Sequence, residues 1–324
     1  MGRTLITGGA GYIGIELVDE LLQAGREVTV LDRLLHGQTD RADELRERGV
    51  TVVEGDIRDT VARGHALHGA EAVVHLAAIV GDPACARDPQ LAQEVNVDAS
   101  FALAAEAADA GVEHFVMAST CSNYGRMADP TTPIDETGVL APVSLYAEQK
   151  VAIEQHLLGL DPAPFAVTCL RFATVYGVAP RMRFDLTVNE FTRDLWADRE
   201  LEVFGEQFWR PYVHVRDAAR GIAAVLGAPR EQVAGEVFNI GDTRENYRKL
   251  DLVEEIRKQT DKGNVSYVQR TEDPRDYKVA FEKVHATLGY EVTRTVPEGI
   301  AELLRALDEG FFPDAFEPRY RNTP

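Results

Sequence analysis

The chain of 324 residues is long enough to bury a full core, as one large domain or two interlocked ones. With 45% apolar and 27% charged residues it has ordinary globular composition, and no apolar run approaches bilayer-spanning length, so a membrane partner is not expected. A formal charge of −19 argues against nucleic acid as the main partner, so any anionic ligand must be held locally, by single arginines or a helix N-terminus inside a cleft.

Met1, Gly2 and Arg3 lead straight into an apolar strand pattern, which leaves no room for a cleavable signal peptide. Cys85, Cys121 and Cys169 are odd in number and far apart, without the spacing of a disulfide framework or a zinc site. The expectation is a soluble, cytoplasmic protein without a metal.

Thr4, Leu5, Ile6 and Thr7 read as a strand. A helix follows with Ile13, Leu17, Val18, Leu21 and Leu22 on one face, then a second strand over 28–31, which makes a βαβ unit. Further strands are expected at 50–53, 72–76, 115–118 and 167–170. Alternation of this kind implies an α/β fold with a doubly wound parallel sheet. The alanine-rich stretch 99–110 reads as a close-packed helix, with Phe101 and Leu103 as its packing groups. Residues 125–142, with Pro130, Pro133 and Pro142, form a loop of the unusual length often found over active sites. The second half mixes helices, strands and turns as a smaller α+β substrate-binding lobe would.

Gly8, Gly11 and Gly14 fall in TGGAGYIG, between the first strand and the first helix. There glycines let the backbone turn tightly and approach a pyrophosphate, whose charge meets the amides and dipole of the helix N-terminus. Asp32 closes the second strand, where a carboxylate accepts hydrogen bonds from an adenosine ribose and repels a 2′-phosphate, so NAD is expected rather than NADP. Arg33, directly after it, is the residue that could accept that phosphate instead.

Tyr146 and Lys150 stand four apart in YAEQK at the start of a helical pattern, so both face one side. A lysine cation beside a tyrosine favours the phenolate and makes the tyrosine a usable base.

Together with TGGAGYIG, with Asp56 and Ile57 after a strand, with HLAA at 75–78, with Asn96 and with the strand end Ser119-Thr120, this pair resembles the extended short-chain dehydrogenase/reductase family. RPYVHVRDAA from Arg210 and RDYKVAFEKVHATLGY from Arg275 resemble later motifs of its nucleotide-sugar epimerase/dehydratase branch. The resemblance covers nearly the whole chain. It implies a Rossmann-type NAD-binding domain over 1–173 and 213–241, a nucleotide-sugar-binding lobe over 174–212 and 242–324, and a homodimer.

By the same resemblance Tyr146 takes the proton of a sugar hydroxyl, Lys150 lowers its pKa and binds the nicotinamide ribose, and Thr120 polarises the sugar oxygen. Tyr12, Ile13, Leu76 and Asn96 belong to the cofactor set, Asp56 and Ile57 flank the adenine, and Ala77 and Ala78 leave room for the cofactor. Arg210 and Arg275 neutralise a nucleotide diphosphate, which a planar guanidinium suits, and Asn189 touches the same group. Arg181, Arg183 and Arg270 are weaker candidates. Asp82 either binds a sugar hydroxyl or caps the helix after it, and Ser122 either touches the sugar or satisfies local backbone.

Two departures from the branch's pattern bear on the reaction. Thr174 stands where Asn is common, and Ser122 stands where dehydratases and decarboxylases carry Glu, with Cys121 one position off. A serine hydroxyl cannot supply the acid or base for removing water. The expected activity is therefore NAD-dependent epimerisation of a nucleotide-diphosphate sugar, at C4 through a transient 4-keto sugar. The alternatives are a ketoreductase or dehydrogenase of the same family, or a nucleotide-sensing regulator that needs none of Tyr146, Lys150 and Thr120.

Overall fold

A computed structural model describes residues 2–127, 132–160, 165–268 and 275–322. The strands are β1 (Arg3–Thr7), β2 (Glu27–Asp32), β3 (Thr51–Glu54), β4 (Ala70–His75), β5 (His114–Thr120), β6 (Ala166–Phe172), β7 (Thr174–Tyr176), β8 (Glu200–Phe204), β9 (Trp209–His214), β10 (Glu236–Ile240), β11 (Asn246–Arg248) and β12 (Asn264–Val268). Seven of them form a main sheet in the order β10-β6-β5-β4-β1-β2-β3, every pair parallel. The order reverses between β1 and β4, and the crevice at the carboxyl ends of those strands is where such sheets take ligands.

Parallel strands buried on both faces read as apolar runs, and all seven residues of β6 are buried. Successive side chains point to opposite faces, so Ile6, Val30 and Val74 join one core while Leu5, Leu31 and Val73 join the other. The first core packs under the helices Tyr12–Gln23 and Val215–Gly227, and the second under Thr60–Leu67, Ala99–Asp109 and Leu145–Leu158. The alanine-rich helix is present, with Leu103 buried and Phe101 stacked on His156 at 3.8 Å between ring centroids.

β11, β9 and β7 form a second sheet and β12 pairs with β8, around a third core that includes Tyr212, Leu252 and Ile300. The chain does not divide as cleanly as a boundary at residue 242 implies. Tyr277, Val279, Phe281, Val284 and Tyr290 return to pack with Phe238 and Ile240 in the first core. The loop after Gly125 also departs from expectation. None of its described residues lines the cleft. Instead it is strapped to the returning segment, Met127 N–H donating to Asp276 O at 3.1 Å and Ile134 N–H to Lys278 O at 2.9 Å. Pro130 lies outside the described residues.

Behind the cleft, Glu154 on the helix Leu145–Leu158 accepts from Arg171 of β6 at 2.8 Å, with both side chains buried. Asn123 donates to the same carboxylate at 2.9 Å and Ser119 donates as well, while Arg171 reaches the Tyr124 hydroxyl at 3.0 Å. Removing one partner of a buried, hydrogen-bonded pair leaves the other charge uncompensated. Glu154→Ala is therefore expected to lower the free energy of unfolding by about 3–5 kcal/mol, read by urea denaturation. A loss below about 1 kcal/mol would show the pair to be energetically idle.

Candidate active site

At the carboxyl ends of β1, β2, β4 and β5 the chain leaves a cleft of about 410 Å³. One end is built by the glycine turn. Gly8 has φ +72°, and a Cβ there would sit 2.9 Å from the Ala77 amide nitrogen, while a Cβ on Gly14 would sit 2.5 Å from Gly8 O. Only glycine permits both the turn and the close helix-to-strand approach. Gly11 starts the helix Tyr12–Gln23 without a side-chain cap, so no side chain occupies the amides of this N-terminus, and Gly11, Tyr12, Ile13 and Gly14 line the cleft.

The Asp32 carboxylate lines the cleft beside them, accepting from Leu34 N–H at 2.8 Å and Ala10 N–H at 3.0 Å. Burial raises its pKa above the ordinary carboxylate value. Arg33 pairs with Asp56 at 3.1 Å, and Asp56 also pairs with Arg58 at 2.8 Å, which holds its pKa low. Ile57, Leu76, Ala77 and Ala78 complete this wall. Uncapped amides, a glycine-rich turn, a carboxylate and two alanines fit a dinucleotide such as NAD.

Asn96 does not line this wall. It lies behind it, accepting from Ile79 N–H at 2.8 Å and donating to Ile79 O at 3.0 Å and to Gln149 at 2.9 Å, and so fixes the backbone after β4.

Tyr146 and Lys150 reach the cleft from the helix Leu145–Leu158, whose N-cap Ser144 accepts from Ala147 N–H at 3.4 Å. The Lys150 ammonium stands 5.8 Å from the centre of the Tyr146 ring and donates to Ala118 O at 2.8 Å. Burial pulls Lys150 down to about 8. Tyr146 departs from expectation, because burial pushes its hydroxyl above the ordinary tyrosine value rather than below it. The cost of desolvating a phenolate outweighs the nearby charges. Thr120 Oγ1 accepts from Ser122 N–H at 3.1 Å, and its own hydrogen remains to be donated.

The far wall joins Ser122, whose hydroxyl is 3.3 Å from that of Tyr277, to Asp82, which pairs with Arg275 at 2.9 Å. Asp82 is not a cap. Gly81 holds that position with φ +97°, and the Asp82 carboxylate turns across the cleft. Thr174, Arg181 and Arg183 also line the cleft, and Arg270 lies outside the described residues.

Asn189 and Arg210 do not line the cleft themselves and stand behind residues that do. Asn189 is a buried strut, accepting from Gly177 N–H at 2.9 Å and donating to the Tyr12 hydroxyl at 3.1 Å and to Arg183 O at 2.9 Å. Arg210 is buried, donates to Trp209 O at 2.6 Å and lies 5.1 Å from the centre of the Tyr277 ring. Tyr277 was missed as a cleft residue although it stands two places after Arg275, and Asn322 lines the cleft with no signal in its own sequence neighbourhood.

The sequence profile of the NAD dependent epimerase/dehydratase family matches residues 4–241. The chain is 29% identical to the UDP-glucose 4-epimerase of Bacillus subtilis, over 93% of this chain and 95% of that protein. It superposes on the UDP-glucose 4-epimerase of Thermotoga maritima solved with UDP-glucose with a TM-score of 0.85, at 28% identity, over 95% of this chain and 99% of the other. With the UDP-glucuronic acid 4-epimerase of Bacillus cereus, solved with UDP-glucuronic acid and NAD, the TM-score is 0.84 at 25% identity, over 95% and 99%.

The low pKa of Lys150 has a sign that stability measurements read. Between about 8, its folded value, and about 10.4, its ordinary value, the unfolded chain binds a proton that the folded chain does not, so stability rises with pH through this window. Relative to Lys150→Met, which carries no proton there, the wild type is expected to gain roughly 2.5 kcal/mol from pH 8 to 10.4. A difference that stays flat across the window would return Lys150 to an ordinary pKa.

Proposed function

The chain belongs to the NAD dependent epimerase/dehydratase family, and on that premise we propose that it is a 4-epimerase of nucleotide-diphosphate hexoses, UDP-glucose among them. The observation that carries the reading is that Tyr146, Lys150 and Thr120 line the same cleft as the Gly8–Gly14 turn. A regulator that only senses a nucleotide has no use for that triad.

In this reading the amides after Gly11 hold the pyrophosphate, Asp32 accepts from the adenosine ribose, and Ala77 and Ala78 leave space beside them. Arg33, already paired with Asp56, is a poor receptor for a 2′-phosphate, which supports NAD over NADP. Bound NAD supplies the hydride acceptor and donor that inversion at a carbon requires. Tyr146 takes the C4 hydroxyl proton and returns it after the keto-sugar has turned its other face. Thr120 donates to the same oxygen. Lys150, with its pKa at about 8, is mostly charged at neutral pH, and that charge is assigned to favouring the tyrosine phenolate.

Removal of water is not supported. Ser122 has no usable acidity, and Cys121 is buried with its thiol donating to Arg171 O at 3.2 Å and its pKa raised by burial. On the substrate side, Asp82, Ser122 and Arg275 are assigned to the sugar nucleotide, while Asn189 and Arg210 are reassigned to support of Tyr12 and Tyr277. Residues 174–212 and 242–324 are taken as the lobe that carries the nucleotide, apart from the segment 277–290 that packs under the main sheet. No helix among the described residues is long and apolar enough to cross a membrane. The reading places the protein in the cytoplasm, where its three buried free cysteines stay reduced, and as a homodimer, as the family resemblance implies.

The test follows product mass and C4 configuration with a panel of nucleotide hexoses. Epimerisation leaves mass unchanged and inverts C4, and Tyr146→Phe is expected to lower turnover by about 10²–10⁴-fold. Loss of water, or a gain of two hydrogens, would overturn the reading.

A further inference from the structure

Of the described arginines that line the cleft, Arg33 is paired with Asp56, Arg183 with Asp185 and Arg275 with Asp82. Arg181 differs from them. It is buried, yet its guanidinium donates only to neutral oxygens, Met182 O at 3.2 Å, Arg321 O at 3.5 Å and the Asn322 side chain at 2.7 Å. Burial pulls its pKa down to about 10. A cation this short of compensation favours an anion brought into the cleft. Its place is the adenosine end, which His36 and Asp32 also line. Burial and then the charge of Arg181 lower His36 to about 4, and Asp32 is among the charges that keep Arg181 protonated.

Two of the three acceptors of Arg181 belong to the C-terminal tail, which leaves the helix Val296–Asp308 and is fastened along 181–185. Phe184 N–H donates to Tyr320 O at 2.8 Å, and Asn322 N–H donates to Asp185 at 3.1 Å. Phe312 and Tyr320 are buried in one core with Met182, Phe184 and Tyr12, the first residue of the helix at the cofactor turn. The Phe316 ring carries Arg199 at 3.5 Å and Arg193 at 4.5 Å.

We propose that the tail is part of the cofactor site and that Asn322 is a positioning residue, a neutral latch that holds Arg181 in the cleft wall with its charge left for the pyrophosphate of NAD. An amide oxygen accepts from a guanidinium without cancelling it, whereas a carboxylate in the same place would hold it and cancel it. The effect is one of charge across the cleft, since Arg181 Nε is buried and no ligand is routed to it. The latch requires NAD as the cofactor and is independent of the reaction at C4.

The experiment loads wild type, Asn322→Asp and Arg181→Gln with NAD and times its release by exchange against isotopically labelled NAD. Both variants are expected to release NAD about tenfold or more faster than wild type. If Asn322 merely propped the tail, aspartate, with its stronger bond to Arg181, would retain NAD at least as long as asparagine does, and that result overturns the proposal. Unchanged release from Arg181→Gln overturns it too, and does so even if Asn322→Asp does not fold. A defect confined to the binding of UDP-glucose by the NAD-loaded variants would give the charge to the substrate's diphosphate and overturn it as well. If the release rates follow expectation but the wild type epimerises no sugar, the 4-epimerase reading falls and the latch stands.

Discussion

The catalytic geometry depends on one buried ion pair, Glu154 with Arg171. It ties the helix that carries Tyr146 and Lys150 to β6, and through Ser119 and Asn123 to the strand end and turn that carry Thr120 and Ser122. Tyr124 extends the same network to Asn239 of β10 at 2.8 Å, and the Glu136 carboxylate accepts from Asn239 N–H at 2.7 Å. Two charges taken out of water are a poor source of stability by themselves. What the pair supplies here is position, because β6 and the strand end and turn 119–123 must satisfy the same carboxylate at once.

The same burial that makes the pair costly shapes the chemistry in front of it. Lys150 is lowered and Tyr146 is raised because each charged form loses water and regains only part of its solvation from neighbours. A protein with a net charge of −19 must also hold an anionic cofactor and an anionic substrate. It does so with backbone amides at a helix N-terminus and with guanidinium groups, of which Arg33, Arg183 and Arg275 are balanced by carboxylates while Arg181 is held by the neutral Asn322 side chain. Affinity then resides in local geometry rather than in the field of the whole surface.

The parts of the fold and site that were legible in the sequence are those written in consecutive residues. The strand, glycine turn and helix from Thr4 to Leu22 form one local unit, and Asp32 follows at the end of the next strand. Tyr146 and Lys150 share a helix face by spacing alone. What was not legible depends on contacts far apart in the chain. Asn96 and Asn189 look like ligand-binding amides, yet each spends its hydrogen bonds on backbone and side chains that other segments bring to it. Asp82 had the sequence of a cap, and its ion pair with a residue 193 positions later decided otherwise. The return of 277–290 beneath the main sheet was hidden for the same reason, since Phe281 and Val284 are apolar in any core.

The account's central claim is that C4 of the sugar is oxidised and reduced within one closed cycle, with Tyr146 handling only the proton. UDP-glucose carrying deuterium on C4 tests this most directly, with the product examined by NMR and mass spectrometry. The account predicts a C4-inverted sugar nucleotide that keeps its deuterium at C4, with none passed to water or to added NAD. Deuterium lost to water would mean that C4 is deprotonated rather than stripped of hydride, and deuterium recovered in free NADH would mean an open dehydrogenase cycle; either would contradict it.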